Sequence, residues 1–280
     1  MRVDDGVRSV TVSGESSSPG GSVAPGGSVG APGSAESAGS TGPGESTGSA
    51  GRGKAAGSVE PVEAVGSGSV LERLGRARVV PVVVVDDAEQ GLGVAEALEG
   101  GGLPVAEVTF RTSGARDAIE AITADHPGML VGAGTVVNPR QVDEAVAAGA
   151  SFLVSPGLSE SVVRAAREAG VPILPGVATA SDIMAALELG VTTVKLFPAG
   201  VVGGPGAIKA LSAPFGQVTF VPTGGVTAAN LPDYLALSSV LAVGGSWMVD
   251  KELVVAGDFA EITRRTAQAV AIATGAGPRG

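Results

Sequence analysis

One lysine stands where an amine could do covalent chemistry. Lys195 lies in the segment Thr193–Phe197, and both of its neighbours along the chain, Val194 and Leu196, are apolar. Because side chains alternate between the two faces of a strand, Lys195 points away from these neighbours. Burial on that face would disfavour the charged form of an amine, and a neutral amine attacks a ketone to form a Schiff base. Lys195 is therefore a candidate covalent catalyst. The alternative is a lysine at a strand end whose ammonium reaches water.

A second segment carries a carboxylate and a guanidinium on one predicted face. Residues 105–112 read Val-Ala-Glu-Val-Thr-Phe-Arg-Thr, so alternation places Glu107, Thr109 and Arg111 on the same side of a strand. The other side is bulky and apolar, which favours contact with surrounding helices, and the polar side is predicted to face an interior. There Glu107 could carry protons, and Arg111 could bind a carboxylate through two hydrogen bonds. A purely structural Glu–Arg ion pair is the alternative.

Paired glycines close the last two apolar segments of the chain. Residues 222–226 read Pro-Thr-Gly-Gly-Val, and residues 243–247 read Val-Gly-Gly-Ser-Trp. Backbone N–H groups exposed at such turns, together with a nearby helix amino terminus, make a cradle for phosphate. Tight turns without a ligand are the alternative. A third glycine-rich segment, residues 131–136, allows close backbone approach and offers the hydroxyl of Thr135.

The elements that must position these residues alternate regularly. Amphipathic stretches, which we predict as helices over 87–99, 139–148, 160–169 and 180–189, separate eight short β-branched segments. The predicted strands are Val79–Val85, Val105–Phe110, Met129–Ala133, Phe152–Val154, Pro172–Leu174, Thr193–Phe197, Thr219–Val221 and Val240–Val243. Such alternation is typical of a parallel sheet, and eight units indicate an α/β fold of the (β/α)8 TIM-barrel type. An open doubly wound sheet would need a glycine-rich fingerprint after the first strand, where residues 85–88 read Val-Asp-Asp-Ala. Active sites of such barrels lie at the carboxyl ends of the strands, where the polar residues fall.

Composition divides the chain into a tail and one domain. Residues 1–68 contain 17 Gly and 14 Ser and no aromatic residue, Leu or Ile, which predicts a disordered tail. We assign residues 69–275 to the barrel and residues 276–280 to a flexible carboxyl terminus. The first residues lack the apolar core of a signal peptide, and no apolar run approaches the ~18 residues of a membrane span. A cytoplasmic protein without a membrane partner is the expectation.

Several classes of chemistry are excluded by what the sequence lacks. The chain has no cysteine and a single histidine, His126, in a predicted surface turn. Disulfides, thiolate metal sites and a cysteine nucleophile are therefore impossible, and a Ser-His-Asp triad is disfavoured. The formal net charge of −10 disfavours nucleic acid and anionic membranes as partners. A small anionic substrate can still bind where a site supplies local positive potential.

In order along the chain, these segments resemble the 2-keto-3-deoxy-6-phosphogluconate (KDPG) aldolases, the class I aldolases of the Entner–Doudoroff pathway. The resemblance is collinear from about Leu71 to Ala273. It rests on Val-Val-Pro-Val at 79–82, Glu-Val-Thr-Phe-Arg-Thr at 107–112, Val-Gly-Ala-Gly-Thr-Val at 131–136, Ser-Pro-Gly at 155–157, Val-Lys-Leu-Phe-Pro-Ala at 194–199, Pro-Thr-Gly-Gly-Val at 222–226 and Gly-Gly-Ser-Trp at 244–247. The family also cleaves 4-hydroxy-2-oxoglutarate (KHG), so the resemblance implies both activities.

The resemblance implies a role for each matching residue. Lys195 would be the Schiff-base lysine and Glu107 the general acid/base. The implied substrate-binding residues are Arg111 and Thr135 for the pyruvate moiety, Phe197 as a wall of the pocket, and Thr223, Gly224, Gly225, Gly245 and Ser246 for the phosphate. The family needs neither a metal nor an organic cofactor, acts on a small phosphorylated 2-keto acid and forms homotrimers.

Three other functions stay open on the sequence. A phosphate-binding barrel could run non-covalent chemistry, as an isomerase or a synthase of the thiamin-phosphate type, but would have no reason to turn Lys195 and Glu107 inward. Another Schiff-base lyase could act on an unphosphorylated 2-keto acid, against which the paired glycines argue. A catalytically inactive barrel would have no need of the Lys195, Glu107 and Arg111 set.

Overall fold

Short β-branched strands and amphipathic helices close into a (β/α)8 barrel, as the alternation predicts. The computed structural model describes residues 67–275 of the chain. Residues 1–66 of the predicted tail, and the predicted flexible terminus 276–280, lie outside this range. A helix that the sequence pattern did not indicate begins at Ser67.

The bounds of the elements follow in chain order. The strands are β1 (Val79–Val83), β2 (Val105–Thr109), β3 (Leu130–Gly134), β4 (Phe152–Val154), β5 (Ile173–Leu174), β6 (Gly176–Val177), β7 (Thr193–Leu196), β8 (Thr219–Phe220) and β9 (Val243–Gly245). The helices are α1 (Ser67–Ala77), α2 (Ala88–Gly100), α3 (Ala115–Asp125), α4 (Pro139–Ala147), α5 (Glu160–Glu168), α6 (Ala180–Glu188), α7 (Gly204–Ser212), α8 (Leu231–Leu235), α9 (Lys251–Ala256) and α10 (Phe259–Gly275).

The strands form a closed parallel ring. One run of neighbours has the order β5-β4-β3-β2-β1-β9, and the other has the order β6-β7-β8. The two runs meet at Pro175, which separates β5 from β6 and cannot donate a ladder hydrogen bond. On the other side the bridges Phe220↔Val240 and Thr223↔Gly244 join β8 to β9. Since β5 and β6 are one interrupted strand, the ring has eight strands, and the open-sheet alternative is wrong.

Seven of the eight predicted strands have different bounds in the structure, and three of them differ by more than one residue. The first strand ends at Val83 and not at Val85. The fifth continues beyond Pro175 as β6, which the proline concealed in the sequence. The eighth, predicted at 240–243, is β9 at Val243–Gly245, with Val240 contributing only a bridge. The last difference matters for the site, because it places the second glycine pair inside a strand and Ser246 directly after it.

Helix caps set the direction in which the chain enters each helix. Asp87 accepts a hydrogen bond from the Gln90 N–H before α2, and Asn138 accepts one from the Gln141 N–H before α4. Thr179 forms a reciprocal capping box before α6.

Within residues 67–275 no helix is both long and apolar enough to cross a lipid bilayer.

Candidate active site

The side chains of Lys195 and Glu107 meet inside the barrel. Nζ of Lys195 donates a hydrogen bond of 3.1 Å to Oε1 of Glu107, and the two side chains are 6% and 4% exposed. Lys195 lies on β7 and Glu107 on β2, which are not neighbours in the sheet, so the contact crosses the barrel interior. The prediction that both side chains face inward is confirmed. The alternative, a lysine at a strand end whose ammonium reaches water, is wrong.

Gly134 at the end of β3 makes room for Glu107. A Cβ atom at this position would lie 2.3 Å from Oε1 and 2.7 Å from Cγ of Glu107, well inside van der Waals contact. The glycine-rich segment predicted a close approach to the backbone. The group that approaches the backbone of Gly134 is the side chain of Glu107. Any larger residue would displace the carboxylate from Lys195.

Phe197 connects the buried pair to the open mouth of the barrel. It follows Lys195 by two residues, so both side chains point to the same side, and Nζ of Lys195 lies 5.4 Å from the centre of the ring. The half-buried ring also lines the cavity above the pair. An aromatic face near an ammonium is favourable, and the same ring shields the amine from water.

Arg111 and Thr135 form a second contact at the mouth. Nε of Arg111 donates a hydrogen bond of 3.2 Å to Oγ1 of Thr135, and the arginine lines the cavity. Thr135 has a φ of 60°, a region that β-branched residues rarely adopt. Such backbone strain persists only where the surrounding structure holds it, and it is concentrated at functional sites. Among residues 67–275 Glu107 pairs with Lys195 and not with Arg111, so the alternative of a structural Glu107–Arg111 ion pair is wrong.

A cavity of about 430 Å³ opens at the carboxyl ends of the strands. It collects residues from β1, the loop after β2, and the segments after β7, β8 and β9. Its lining consists of Val82, Val84, Arg111, Phe197, Thr223, Gly224, Gly225, Val226, Gly245, Ser246, Val249, Asp250 and Lys251. Seven of the eight predicted substrate-binding residues are among them, and the eighth, Thr135, contacts Arg111.

The two glycine pairs lie side by side on one wall of this cavity. Gly224 and Gly225 have φ angles of 93° and 78°, which only glycine adopts without strain. Their N–H groups, and that of Ser246, make no hydrogen bond within residues 67–275. Asn230 holds the loop in shape, because its Nδ2 donates to the Gly225 carbonyl at 3.0 Å while its Oδ1 accepts from the Thr227 N–H at 2.8 Å. Three N–H groups of residues that line the cavity are therefore available as hydrogen-bond donors.

Two charged residues of the cavity were missed from the sequence. Asp250 and Lys251 line it, and Nζ of Lys251 lies 3.7 Å from Oδ1 of Asp86. They stand on the cap and first turn of α9, and not at the end of a strand, where the sequence pattern predicts the site residues. The helices expected beside the glycine pairs also begin later, α8 at Leu231 and α9 at Lys251. The positive charge beside the two glycine pairs therefore comes from a side chain, that of Lys251, and not from the amino terminus of a helix.

The buried pair has the chemistry that imine formation requires. Transfer of one proton along the 3.1 Å hydrogen bond converts ammonium and carboxylate into a neutral amine and a carboxylic acid. The amine is then a nucleophile, and the acid can donate a proton to a leaving oxygen. In residues 67–275 no group of three or more His, Asp or Glu side chains is arranged to hold a metal ion.

The eight-stranded ring and the lysine–carboxylate pair at its carboxyl end define the class of protein, a (β/α)8-barrel lyase of the aldolase type. A family model described as "Aldolase: KDPG and KHG aldolase" matches residues 70–265. The chain belongs to the KDPG and KHG aldolase family.

Individual relatives agree with the family match. The chain is 48% identical over 192 residues to the KHG/KDPG aldolase of Escherichia coli (strain K12), covering 69% of this chain and 90% of that protein. It is 46% identical over 196 residues to the 2-dehydro-3-deoxy-phosphogluconate aldolase of Dickeya dadantii (strain 3937), covering 70% and 92%. A crystal structure of the KDPG aldolase from Legionella pneumophila, with pyruvate captured as a covalent carbinolamine, is 40% identical with a TM-score of 0.69. That comparison covers 71% of this chain and 96% of the other.

Proposed function

We propose that this chain is a class I aldolase that cleaves KDPG to pyruvate and glyceraldehyde 3-phosphate. The observation that carries the proposal is the 3.1 Å hydrogen bond between Lys195 and Glu107, both buried, beneath a cavity walled by two glycine pairs. A Schiff base at one end of the substrate and a phosphate at the other require these two subsites. Relatives named for the same activity, at 46–48% identity, support the assignment.

Lys195 acts first as the nucleophile. Its neutral amine attacks the C2 ketone to give a carbinolamine, which loses water to form a protonated imine. Glu107, 3.1 Å from Nζ, supplies the proton that leaves with the water. The covalent carbinolamine of pyruvate captured in the Legionella pneumophila relative supports this step.

Glu107 then acts as the base for carbon–carbon cleavage. It removes the proton of the C4 hydroxyl, directly or through one water, and the C4 oxygen becomes an aldehyde as the C3–C4 bond breaks. The electron pair of that bond flows into the imine and leaves an enamine on Lys195. Protonation of the enamine at C3 and hydrolysis of the imine release pyruvate and restore the amine.

The cavity wall orients the rest of the substrate. Arg111 binds the carboxylate of the pyruvate moiety, with Thr135 holding its guanidinium at 3.2 Å, and Phe197 closes the pocket beside Lys195. Thr223, Gly224, Gly225, Gly245 and Ser246 bind the phosphate, chiefly through backbone N–H groups. Backbone donors suit a protein with a net charge of −10, because they hold an anion without a cluster of basic side chains.

Trapping with pyruvate and borohydride tests the proposal. Borohydride reduces the imine to a stable secondary amine, and peptide mass mapping locates it. We expect one adduct per chain, on Lys195, and none on the exposed Lys209 or Lys251. Lys209→Arg is the matched control that keeps the label, and Lys195→Arg, which keeps the charge, should abolish it. Absence of an adduct, or an adduct that survives Lys195→Arg, contradicts the covalent mechanism.

A second substrate and the setting complete the proposal. Cleavage of 4-hydroxy-2-oxoglutarate to pyruvate and glyoxylate uses the same imine, and the names of the family and of the Escherichia coli relative support it. The resemblance to the family supports a homotrimer and a place in the Entner–Doudoroff pathway. A cytoplasmic location suits a phosphorylated substrate that does not cross membranes unaided.

A further inference from the structure

A second cavity, of about 460 Å³, lies at the opposite end of the barrel. Arg78 directly precedes β1, and Val105 is the first residue of β2, so the cavity adjoins the amino ends of these strands. Its lining consists of Arg73, Arg76, Ala77, Arg78, Gly102, Leu103, Pro104, Val105, Val270 and Thr274. None of these residues lines the cavity above Lys195, which is formed at the carboxyl ends of the strands.

The charged residues that line this cavity are all arginines. Arg73 and Arg76 are three residues apart on α1 and share a helix face, and Arg78 follows the helix directly. No Asp or Glu is among the lining residues. Five other arginines of the described chain pair with carboxylates on their own helix, as Arg140 does with Glu144 at 3.6 Å. In a protein with a net charge of −10, this cavity is a local reversal of charge.

Backbone carbonyls hold two of the guanidinium groups in place. Arg73 donates a hydrogen bond of 2.7 Å to the Gly128 carbonyl, and Arg78 donates one of 3.2 Å to the Leu235 carbonyl. These bonds tie α1 and the residue that follows it to the loop before β3 and to the end of α8. Arg76, at the exposed last turn of α1, complements the helix dipole, but that effect does not explain three arginines around one cavity.

We propose that this cavity binds a small phosphorylated molecule. Guanidinium groups match the geometry of phosphate oxygens, and Arg73 and Arg76, in a lining without Asp or Glu, favour a dianion. The other walls are apolar, formed by Leu103, Pro104 and Val270, and would contact the organic part of the ligand. The site is separate from the catalytic cavity and does not depend on the proposed aldolase activity.

Titration calorimetry with inorganic phosphate on the full chain tests the site. Two phosphates should bind to the parent chain, one at each end of the barrel. Arg73→Gln combined with Arg76→Gln should weaken one of them about tenfold or more, since each arginine makes charge-assisted hydrogen bonds. Gly225→Val should remove the other, and the triple variant should bind neither.

Arg140→Gln is the matched control, because it removes one positive charge from an exposed helix far from the cavity lining. It should leave both phosphates bound. Arg76→Gln alone guards against misfolding, because Arg76 is exposed and makes no hydrogen bond or ion pair with another residue of 67–275. Its melting temperature and its kcat/KM without phosphate should equal those of the parent. Equal phosphate binding in the parent and in the Arg73/Arg76 variant, or equal weakening by Arg140→Gln, overturns the proposal.

Discussion

Replacing Gly134 by alanine should separate catalysis from stability. The added Cβ would lie 2.3 Å from Oε1 and 2.7 Å from Cγ of Glu107. Gly134 does not adopt a left-handed φ, so alanine is compatible with its backbone. The three atoms nearest to the added Cβ all belong to the side chain of Glu107, which can rotate away at modest cost to the fold. This rotation removes the hydrogen bond between Glu107 and Lys195.

The size of the displacement follows from the contact distances. Ordinary van der Waals contact with a Cβ begins near 3.4 Å, so Oε1 must retreat from 2.3 Å by about 1.1 Å. The Nζ–Oε1 distance is 3.1 Å, close to the upper limit of a hydrogen bond, and tolerates no shift of that size. A misplacement of about 1 Å costs on the order of 10²-fold in rate. We expect kcat/KM for KDPG cleavage to fall by about that factor.

Three measurements test this reasoning together. Coupled assay of pyruvate release gives kcat/KM, borohydride trapping reports imine formation at Lys195, and thermal melting reports the fold. The expected variant is slow, still trapped by pyruvate, and folded. Gly206→Ala is the matched control, because a Cβ on Gly206 in α7 meets nothing within 4 Å and should leave the rate unchanged. Near-normal turnover of Gly134→Ala would show that the position of Glu107 does not limit the reaction.

Three other perturbations have definite outcomes. Glu107→Gln keeps size and hydrogen bonding but cannot carry a proton, so turnover should drop on the order of 10²–10⁴-fold; normal turnover would assign the base elsewhere. Gly225→Val should lose the kinetic preference for phosphorylated over unphosphorylated substrate while Lys195 is still trapped, because φ of 78° and the phosphate both exclude a bulky side chain. Burial raises the pKa of Tyr234, the single tyrosine, above its ordinary 10.0. The folded chain favours the neutral phenol. Its contribution to the free energy of unfolding is therefore constant below pH 10.0 and is lost as the pH rises towards the pKa of Tyr234 in the folded state. Tyrosinate absorbance should have a higher midpoint in the native than in the denatured chain, and coincident midpoints would contradict the effect.

The buried part of the site could be predicted because strand geometry is regular. A period of two residues decides which way each side chain points, so the polar residues of two apolar strands, Lys195 and Glu107, had to face inward once the ring was recognised. Their distance could not be predicted. It depends on the bore of the barrel and on Gly134, whose missing side chain admits the carboxylate.

The rim was less predictable because its residues lie outside regular elements. Asp250 and Lys251 reach the cavity only because a turn after Ser246 brings the start of α9 back to the mouth. The residue type of Thr135 does not indicate its positive φ, since β-branched residues avoid that region. The cavity that Arg73 and Arg76 line was not predicted for a different reason. Both arginines lie on α1, a helix that the sequence pattern does not indicate, next to the Gly/Ser-rich segment that is predicted as the tail.

The two proposed anion sites, at opposite ends of the barrel, use different groups, and the difference follows from what each site must do. At the catalytic end the phosphate must be released after every turnover, and backbone N–H groups of Gly224, Gly225 and Ser246 attract it without the full charge of a guanidinium cluster. A cluster of guanidinium groups would hold the phosphate more tightly and slow that release. At the amino end no reaction takes place, and side-chain charge carries no such cost.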